Sequence, residues 1–288
     1  MTASGTRRLA RRILPAETRA RGWTRPLARF IEAIARFGYV ARGLVYMSVG
    51  GLSLLAALAP ARRAEGPVGA LQTWTHWPLG VFLLCAIALG LLAMATWRFL
   101  QAALDADRVG DTPDALMRRA GKAGEGVVDV GMALSILHVV LALSGRADLD
   151  DQARAQGLAQ RLLALPGGGA VLIAVGAGVA ASGVSNMWRA ATGRFTQDLD
   201  CDGPHAFLAG LVGRLGLFSR GFALVAVGGL TALAGWQARP DYARGFGGAL
   251  EALKDQPVGP LLLAALGIGF LAYGLFSFAK ALLRRIGR

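Results

Sequence analysis

The chain alternates between long apolar runs and short polar segments. A helix needs about 20 mostly apolar residues to cross a bilayer. Six runs approach or reach that length: residues 39–59, 79–99, 127–143, 168–188, 217–235 and 258–279. The odd-numbered runs reach full length only by including one charged residue near their start, namely Arg42, Asp129 and Arg220. The pattern predicts an all-α integral membrane protein built as a six-helix bundle.

The first and fifth runs begin with the same skeleton of arginine and glycine. The first copy is Arg36, Gly38, Arg42, Gly43, Gly50 and Gly51, and the second copy is Arg214, Gly216, Arg220, Gly221, Gly228 and Gly229. Every interval is kept, which indicates an internal repeat. A divergent counterpart precedes the third run, where Lys122, Gly124, Glu125 and Asp129 stand in the region of the arginine pair.

The polar segments ahead of the even-numbered runs carry a second repeated pattern. Gly-Ala-Leu and then Pro-x-Gly occur within residues 69–80 and again within 248–259, and residues 157–168 keep Gly-Leu and Pro-x-Gly. We expect a short interfacial helix in each segment. The chain then divides into a basic tail and three helix pairs, of which the second is divergent: residues 1–34, 35–107, 118–200 and 210–286.

The basic tail combines arginines with apolar residues at helical spacing. These apolar residues are Leu27, Phe30, Ile31, Ile34 and Phe37. The spacing predicts a short helix lying on the inner membrane surface. A basic arm without regular structure is the alternative. No apolar run before Phe37 is long enough for the core of a signal peptide, so we expect the first span to be retained.

Composition and charge agree with a membrane location. Hydrophobic residues make up 54% of the chain, yet the formal net charge is +13. Of the 31 lysine and arginine residues, 23 fall on the side of the spans that holds the N-terminus. Cytoplasmic segments retain positive charge during insertion. We therefore expect both termini in the cytoplasm of a bacterial cell, contact with anionic lipid headgroups on that side, and no nucleic-acid partner.

The repeated motifs resemble a known family. Arg-x-Gly-Tyr-x-x-Arg-Gly-x-x-Tyr over residues 36–46, with Gly-Ala-Leu before Pro-x-Gly, resembles the bacterial membrane proteins of domain of unknown function 1206. The resemblance covers about residues 36–283 and is specific for the first and third helix pairs. It implies an inner-membrane architecture of tandem helix pairs and no particular activity.

Three helix pairs in tandem insert with the same orientation. An arrangement about an axis along the membrane normal is then the natural packing, so we expect pseudo-threefold symmetry. Helices in lipid associate closely at small residues. The following glycines are therefore interpreted as contact surfaces, with a hinge or pore lining as the alternative: Gly50, Gly51, Gly90, Gly178, Gly228, Gly229, Gly267 and Gly269.

Arg42 and Arg220 are the strongest candidates for a specialised role. Each lies about 7 Å inside its span at 1.5 Å rise per residue. Three interpretations are open: the side chains extend to anionic lipid at the surface, they pair with Asp129 or Glu125, or they form a solute or anion site. Asp129 is the acid at the same depth as both arginines, which motivates the ion pair.

Other polar groups suggest weaker sites. Asp198, Asp200 and Asp202 match the start of a calcium-binding loop, but position 12 of that loop would be Ala209 instead of glutamate. Metal binding is therefore not expected. His138 is interpreted as a hydrogen-bonded histidine, and Ser182, Ser185 and Asn186 as interhelical hydrogen-bonding residues. No cofactor-binding or catalytic motif occurs in the polar segments.

We therefore expect a non-enzymatic inner-membrane protein with a structural, regulatory or partner-binding role. The alternative is a channel or transporter for a small solute or anion along the repeat axis, with Arg42 and Arg220 at its cytoplasmic mouth. A dry, tightly packed axis would favour the first of these functions, whereas a continuous polar cavity would favour the second.

Overall fold

The computed structural model describes residues 16–59, 64–72, 79–103, 113–142, 151–193 and 204–283. This part of the chain is helical and contains no strand. The helices are α1 Ala16–Leu58, α2 Pro67–Gln72, α3 Gly80–Ala103, α4 Pro113–Ala142, α5 Asp151–Leu163, α6 Gly168–Thr192, α7 Pro204–Trp236, α8 Phe246–Lys254 and α9 Gly259–Leu283. A 3₁₀ turn, Pro240–Tyr242, links α7 to α8.

Six of these helices are long and apolar enough to cross a membrane, as the sequence pattern predicts. The candidate spans are Arg36–Leu58, Gly80–Ala103, Arg119–Leu141, Gly168–Thr192, Leu208–Trp236 and Gly259–Leu282. The third and fifth spans begin eight or more residues earlier than predicted. The helices continue through charged residues that lie ahead of the predicted starts. The added residues include Arg119, Lys122 and Glu125 in the third span and Arg214 in the fifth.

The first helix is longer than the hydrophobic pattern suggests. Helix α1 begins at Ala16 and continues without a break to Leu58. The predicted surface helix is thus the first part of α1 rather than a separate element. Gly38, within this helix, packs against α3 near Gly90.

Short helices occupy the segments that join each odd-numbered span to the next, as predicted. They are α2, α5 and α8, and α8 contacts both of the others. Proline is the first residue of α2, α4 and α7, where its missing N–H costs no helical hydrogen bond. Gly167 before α6 and Gly193 after it have φ values of 77° and 66°, the left-handed region that glycine enters without strain.

The six long helices form a closed ring. Going round it, the order is α1, α3, α4, α6, α7, α9 and back to α1. The closest packing joins helices of different pairs: α1 with α9, α3 with α4, and α6 with α7. The two helices of one pair contact each other less extensively. The packing between neighbouring pairs therefore exceeds the packing within a pair.

Glycine makes two of these close contacts possible. A Cβ atom at Gly183 of α6 would lie 2.5 Å from the carbonyl oxygen of Gly221 in α7, and one at Gly228 would lie 2.5 Å from that of Gly176. In the α1–α9 contact, a Cβ atom at Gly50 would lie 2.8 Å from the Gly267 oxygen. These backbones approach too closely for any side chain.

Three glycines that were predicted to mediate helix contacts have open space where a side chain would begin. A Cβ atom at Gly51, Gly178 or Gly229 would have no neighbour within 4 Å. Each paired glycine motif therefore contributes one contact residue, Gly50 or Gly228, and one residue with open space beside it.

Aromatic rings fill the interior between α1, α8 and α9. The Tyr46 ring centroid lies 4.7 Å from that of Tyr273 and 5.9 Å from that of Phe270. Phe246 at the start of α8 lies 5.6 Å from Phe270. This cluster occupies the part of the interior next to the start of α8.

Candidate functional site

A buried ion pair links the first and middle helix pairs. Arg42 of α1 and Asp129 of α4 have side chains that are 1% and 0% exposed. The Nη2 group of Arg42 donates to both carboxylate oxygens of Asp129. Because α1 and α4 are not neighbours in the ring, this pair crosses the interior. Each charge would be costly alone in an apolar surrounding, so each stabilises the placement of the other.

Two further arginines extend the pair into a cluster. The Nε atom of Arg98 in α3 lies 3.3 Å from Oδ2 of Asp129, and its Nη1 group forms an ion pair with Oε2 of Glu125. Arg189 of α6 donates through Nη1 to Oε1 of Glu125 at 3.4 Å. Four helices, α1, α3, α4 and α6, thus meet around two carboxylates. We call these five residues the charge cluster: Arg42, Arg98, Glu125, Asp129 and Arg189.

Arg220 is held separately from these carboxylates. Its side chain is fully buried, and its Nε atom donates to the hydroxyl of Tyr46 at 2.9 Å. The Cζ atom lies 5.2 Å from the ring centroid of Tyr273 and 5.7 Å from that of Tyr46, within the range of cation–π attraction. Among the described residues, neither Nη1 nor Nη2 of Arg220 has a hydrogen-bond partner.

The cluster is suited to holding helices together. Arg42 pairs with Asp129, Arg189 pairs with Glu125, and Arg98 approaches both acids, so the carboxylates are neutralised within the bundle. Carboxylates engaged in this way are poorly placed to act as a general base or to bind a cation. Among the described residues, no group of three or more histidine, cysteine or carboxylate side chains could hold a metal.

The structure brings together some predicted residues and separates others. Arg42 contacts Asp129, whereas Glu125 contacts Arg98 and Arg189. Within the described part, Arg220 contacts neither acid. The interpretation that Arg42 and Arg220 extend to lipid is wrong, because both guanidinium groups are enclosed by neighbouring helices.

The remaining repeat-motif residues lie at helix contacts or at the ends of spans. The motif glycines buried in the bundle are Gly38, Gly43, Gly50, Gly216, Gly221 and Gly228. Arg36 is half-buried at the beginning of the first span, and Arg214 is exposed near the end of α6. The candidate cation-binding residues Asp198, Asp200 and Asp202 lie outside the described residues.

The serine and asparagine of α6 do not form the predicted interhelical bond. Asn186 donates through Nδ2 to the Ser182 carbonyl oxygen at 2.8 Å, within the same helix. The Oγ atom of Ser182 and the Oδ1 atom of Asn186 are buried and have no partner among the described residues. Ser185 lies instead opposite Gly121 of α4.

Sequence reasoning gave no role to Arg98, Arg189 or Tyr46. A signal was available for Tyr46, which is four residues after Arg42 and therefore on the same helical face. Glu125 and Asp129 are also four residues apart, so both carboxylates lie on the same face of α4. Arg98 and Arg189 could be recognised as partners of these carboxylates only once α3 and α6 were known to lie beside that face of α4.

The six apolar helices, with charged residues buried among them, define a multi-pass membrane protein of the helical-bundle class. Residues 37–105 and 215–284 match the family model described as Domain of Unknown Function (DUF1206). The chain is also 31% identical over 258 residues to Uncharacterized protein YxxB of Bacillus subtilis (strain 168), covering 88% of this chain and 91% of that relative. The chain belongs to the DUF1206 family. No solved structure matches it.

Proposed function

We propose that the protein is a non-enzymatic structural, regulatory or partner-binding component of the bacterial inner membrane. In this proposal, three parallel helix pairs surround an axis that buried side chains close, and both termini face the cytoplasm. The side with the basic tail contacts anionic lipid headgroups. The observation that carries the proposal is the occupied interior, in which Arg42, Tyr46, Asp129 and Arg220 are each at most 1% exposed.

Equivalent contacts inside the helix pairs support the threefold arrangement. A Cβ atom at Gly38 would lie 3.2 Å from Cβ of Met94. The corresponding distance is 3.1 Å between Gly124 and Ser182, and 2.9 Å between Gly216 and Tyr273. Met94, Ser182 and Tyr273 occupy the same position after the Pro-x-Gly motif of their own repeat. The divergent middle pair therefore packs internally like the other two.

The ring order supports the same symmetry. Each closest packing joins the second helix of one pair to the first helix of the next: α3 to α4, α6 to α7, and α9 to α1. In the proposed threefold arrangement, one rotation about the axis would relate these three contacts. The family match omits the middle pair, in agreement with its divergent sequence, in which Glu125 and Asp129 stand in the region of the motif arginines.

A transport measurement tests the closed axis. Purified protein is reconstituted into liposomes that contain a chloride-sensitive dye, and chloride or nitrate entry is compared with that of protein-free liposomes. We expect equal rates, because the buried cluster and the aromatic rings obstruct the interior. Anion entry above the protein-free rate that is lost in Arg42→Ala and Arg220→Ala would contradict the proposal.

A second candidate function is a channel or transporter for a small solute or anion. The observation that favours it is the Arg220 guanidinium, whose Nη1 and Nη2 groups are buried without a partner among the described residues. Buried donors of this kind are suited to an anion that enters from the interior. Anion flux that requires Arg220 would establish this function in place of the first.

A further inference from the structure

We propose that a lateral cavity bounded by α4, α6 and α7 binds a single-chain anionic lipid, with its acyl chain among apolar side chains and its headgroup beside Arg161. The cavity lies at the end of the bundle that carries α2, α5 and α8 and has a volume of about 830 Å³. This is within the range of ligand-binding pockets in proteins. The inference goes beyond the proposed function, because it assigns a ligand to a cavity whose inner end is formed by Tyr46 of the aromatic cluster.

The inner part of the cavity is apolar. Its walls are formed by Val128 and Met132 of α4 and by Leu224 and Val227 of α7. Tyr46 lies at its inner end, and its hydroxyl already accepts a hydrogen bond from Arg220. An extended hydrocarbon chain is the ligand that this lining would bind without leaving polar groups unpaired.

The dimensions of the cavity suit one acyl chain. Its lining follows α4 from Val127 to His138, twelve residues whose helical rise corresponds to roughly 16 Å. Its side wall includes Val127, Leu134 and Leu158, which are 40%, 56% and 54% exposed. In a membrane, these exposed residues face hydrocarbon. A chain can therefore enter sideways from the bilayer without crossing water.

The outer rim of the cavity is basic. Arg154 and Arg161 of α5 both line it, and Arg154 donates to the Ser135 hydroxyl on the α4 wall at 2.6 Å. Arg161 is exposed and forms no ion pair with the described residues. The described lining contains no carboxylate. This charge distribution favours a carboxylate or phosphate headgroup over a zwitterionic or cationic one.

Two lining glycines allow the cavity to be filled without disturbing the fold. A Cβ atom at Gly131 of α4 or at Gly157 of α5 would have no neighbour within 4 Å. Gly131→Leu and Gly157→Leu therefore fill the space from opposite walls. Gly229 of α7 has equally open surroundings but does not line the cavity, so Gly229→Leu is the matched control.

The experiment measures binding of radiolabelled oleate to purified protein in detergent by scintillation proximity. Unlabelled oleate, methyl oleate and inorganic phosphate serve as competitors. We expect saturable binding in the wild type and in Gly229→Leu, with at least a tenfold loss of affinity in Gly131→Leu and Gly157→Leu. Oleate should compete, methyl oleate should compete about tenfold less well, and phosphate alone should not compete.

The headgroup interaction is tested with a second matched pair of variants. Arg161→Ala should weaken oleate binding about three- to tenfold. Arg239→Ala should leave it unchanged, because Arg239 is an exposed arginine that pairs with Asp241 and lies outside the cavity. Size-exclusion profiles identify any variant that fails to fold.

Three outcomes would overturn the proposal. Unsaturable binding would show partition into the micelle, and equal binding by the two filled variants and the wild type would place the lipid elsewhere. Displacement by phosphate alone would identify a site for a free anion instead of a lipid.

Discussion

Replacing Asp129 should destabilise the bundle more than replacing its partner Arg42. In Asp129→Leu, the Arg42 guanidinium keeps its buried position but loses the carboxylate that accepts both of its hydrogen bonds. Removing one partner of a buried pair costs about 3–5 kcal/mol. We expect a loss near 3 kcal/mol in the free energy of unfolding, since helices unfolded in a micelle still find polar partners.

Arg42→Met should cost less because Asp129 retains a second cation. The Nε atom of Arg98 lies 3.3 Å from the Asp129 carboxylate, so the acid remains compensated. We expect a loss of about 1–2 kcal/mol, comparable with a lost hydrogen bond to a charged group. The double variant Arg42→Met/Asp129→Leu buries neither charge, while Arg98 keeps Glu125. Its loss should be only about 1 kcal/mol, far below the sum of the single losses.

The assay is reversible unfolding in mixed micelles with increasing dodecyl sulfate, followed by circular dichroism or tryptophan fluorescence. Asp241→Leu serves as the control because it breaks the exposed pair with Arg239, whose side chains are 58% and 70% exposed. That change should cost less than about 1 kcal/mol. The reasoning would be refuted if the double variant lost as much free energy of unfolding as the two single variants together. It would also be refuted if Asp129→Leu lost no more than the control.

Two further variants test the packing of α7 and the setting of Arg220. Gly228→Leu should destabilise the protein by several kcal/mol, because a Cβ atom there meets the α6 backbone. The adjacent Gly229→Leu should change the free energy of unfolding by less than about 0.5 kcal/mol. Equal effects of the two variants in the same unfolding assay would contradict the α6–α7 contact. Tyr46→Phe keeps the ring but removes the acceptor of the Arg220 Nε donor, so a loss of about 1–3 kcal/mol is expected. An unchanged midpoint would show that this bond contributes nothing.

The fold was largely predictable from the hydrophobic pattern because length and composition constrain a membrane helix directly. The number of long apolar helices and the short helices that join them followed from the sequence. Their starting points did not, since the third and fifth spans extend back through Lys122, Glu125 and Arg214, charged residues that lie ahead of the predicted starts.

The site was only partly predictable because its contacts depend on ring order. Depth alone suggested that Asp129 could meet either motif arginine. The structure distinguishes them, because Arg42 reaches across to α4 while Arg220 is directed to Tyr46 and Tyr273. The two arginines share a motif position, yet their surroundings differ because the middle helix pair supplies carboxylates to only one of them.

The orientation of the helix pairs is the central claim, and cysteine accessibility tests it most directly. Single cysteines are introduced, in a background without Cys85 and Cys201, at one exposed position near each end of the three pairs. One set is Leu79, Gln160 and Asp255 near the short helices, and the other is Ala103, Thr192 and Leu282 at the opposite end.

A membrane-impermeant maleimide is then applied to intact spheroplasts and to lysed membranes. Three pairs inserted in the same sense predict that the first set reacts in intact spheroplasts and the second set only after lysis. Reaction of one member of a set from the side opposite to the other two would contradict the parallel arrangement.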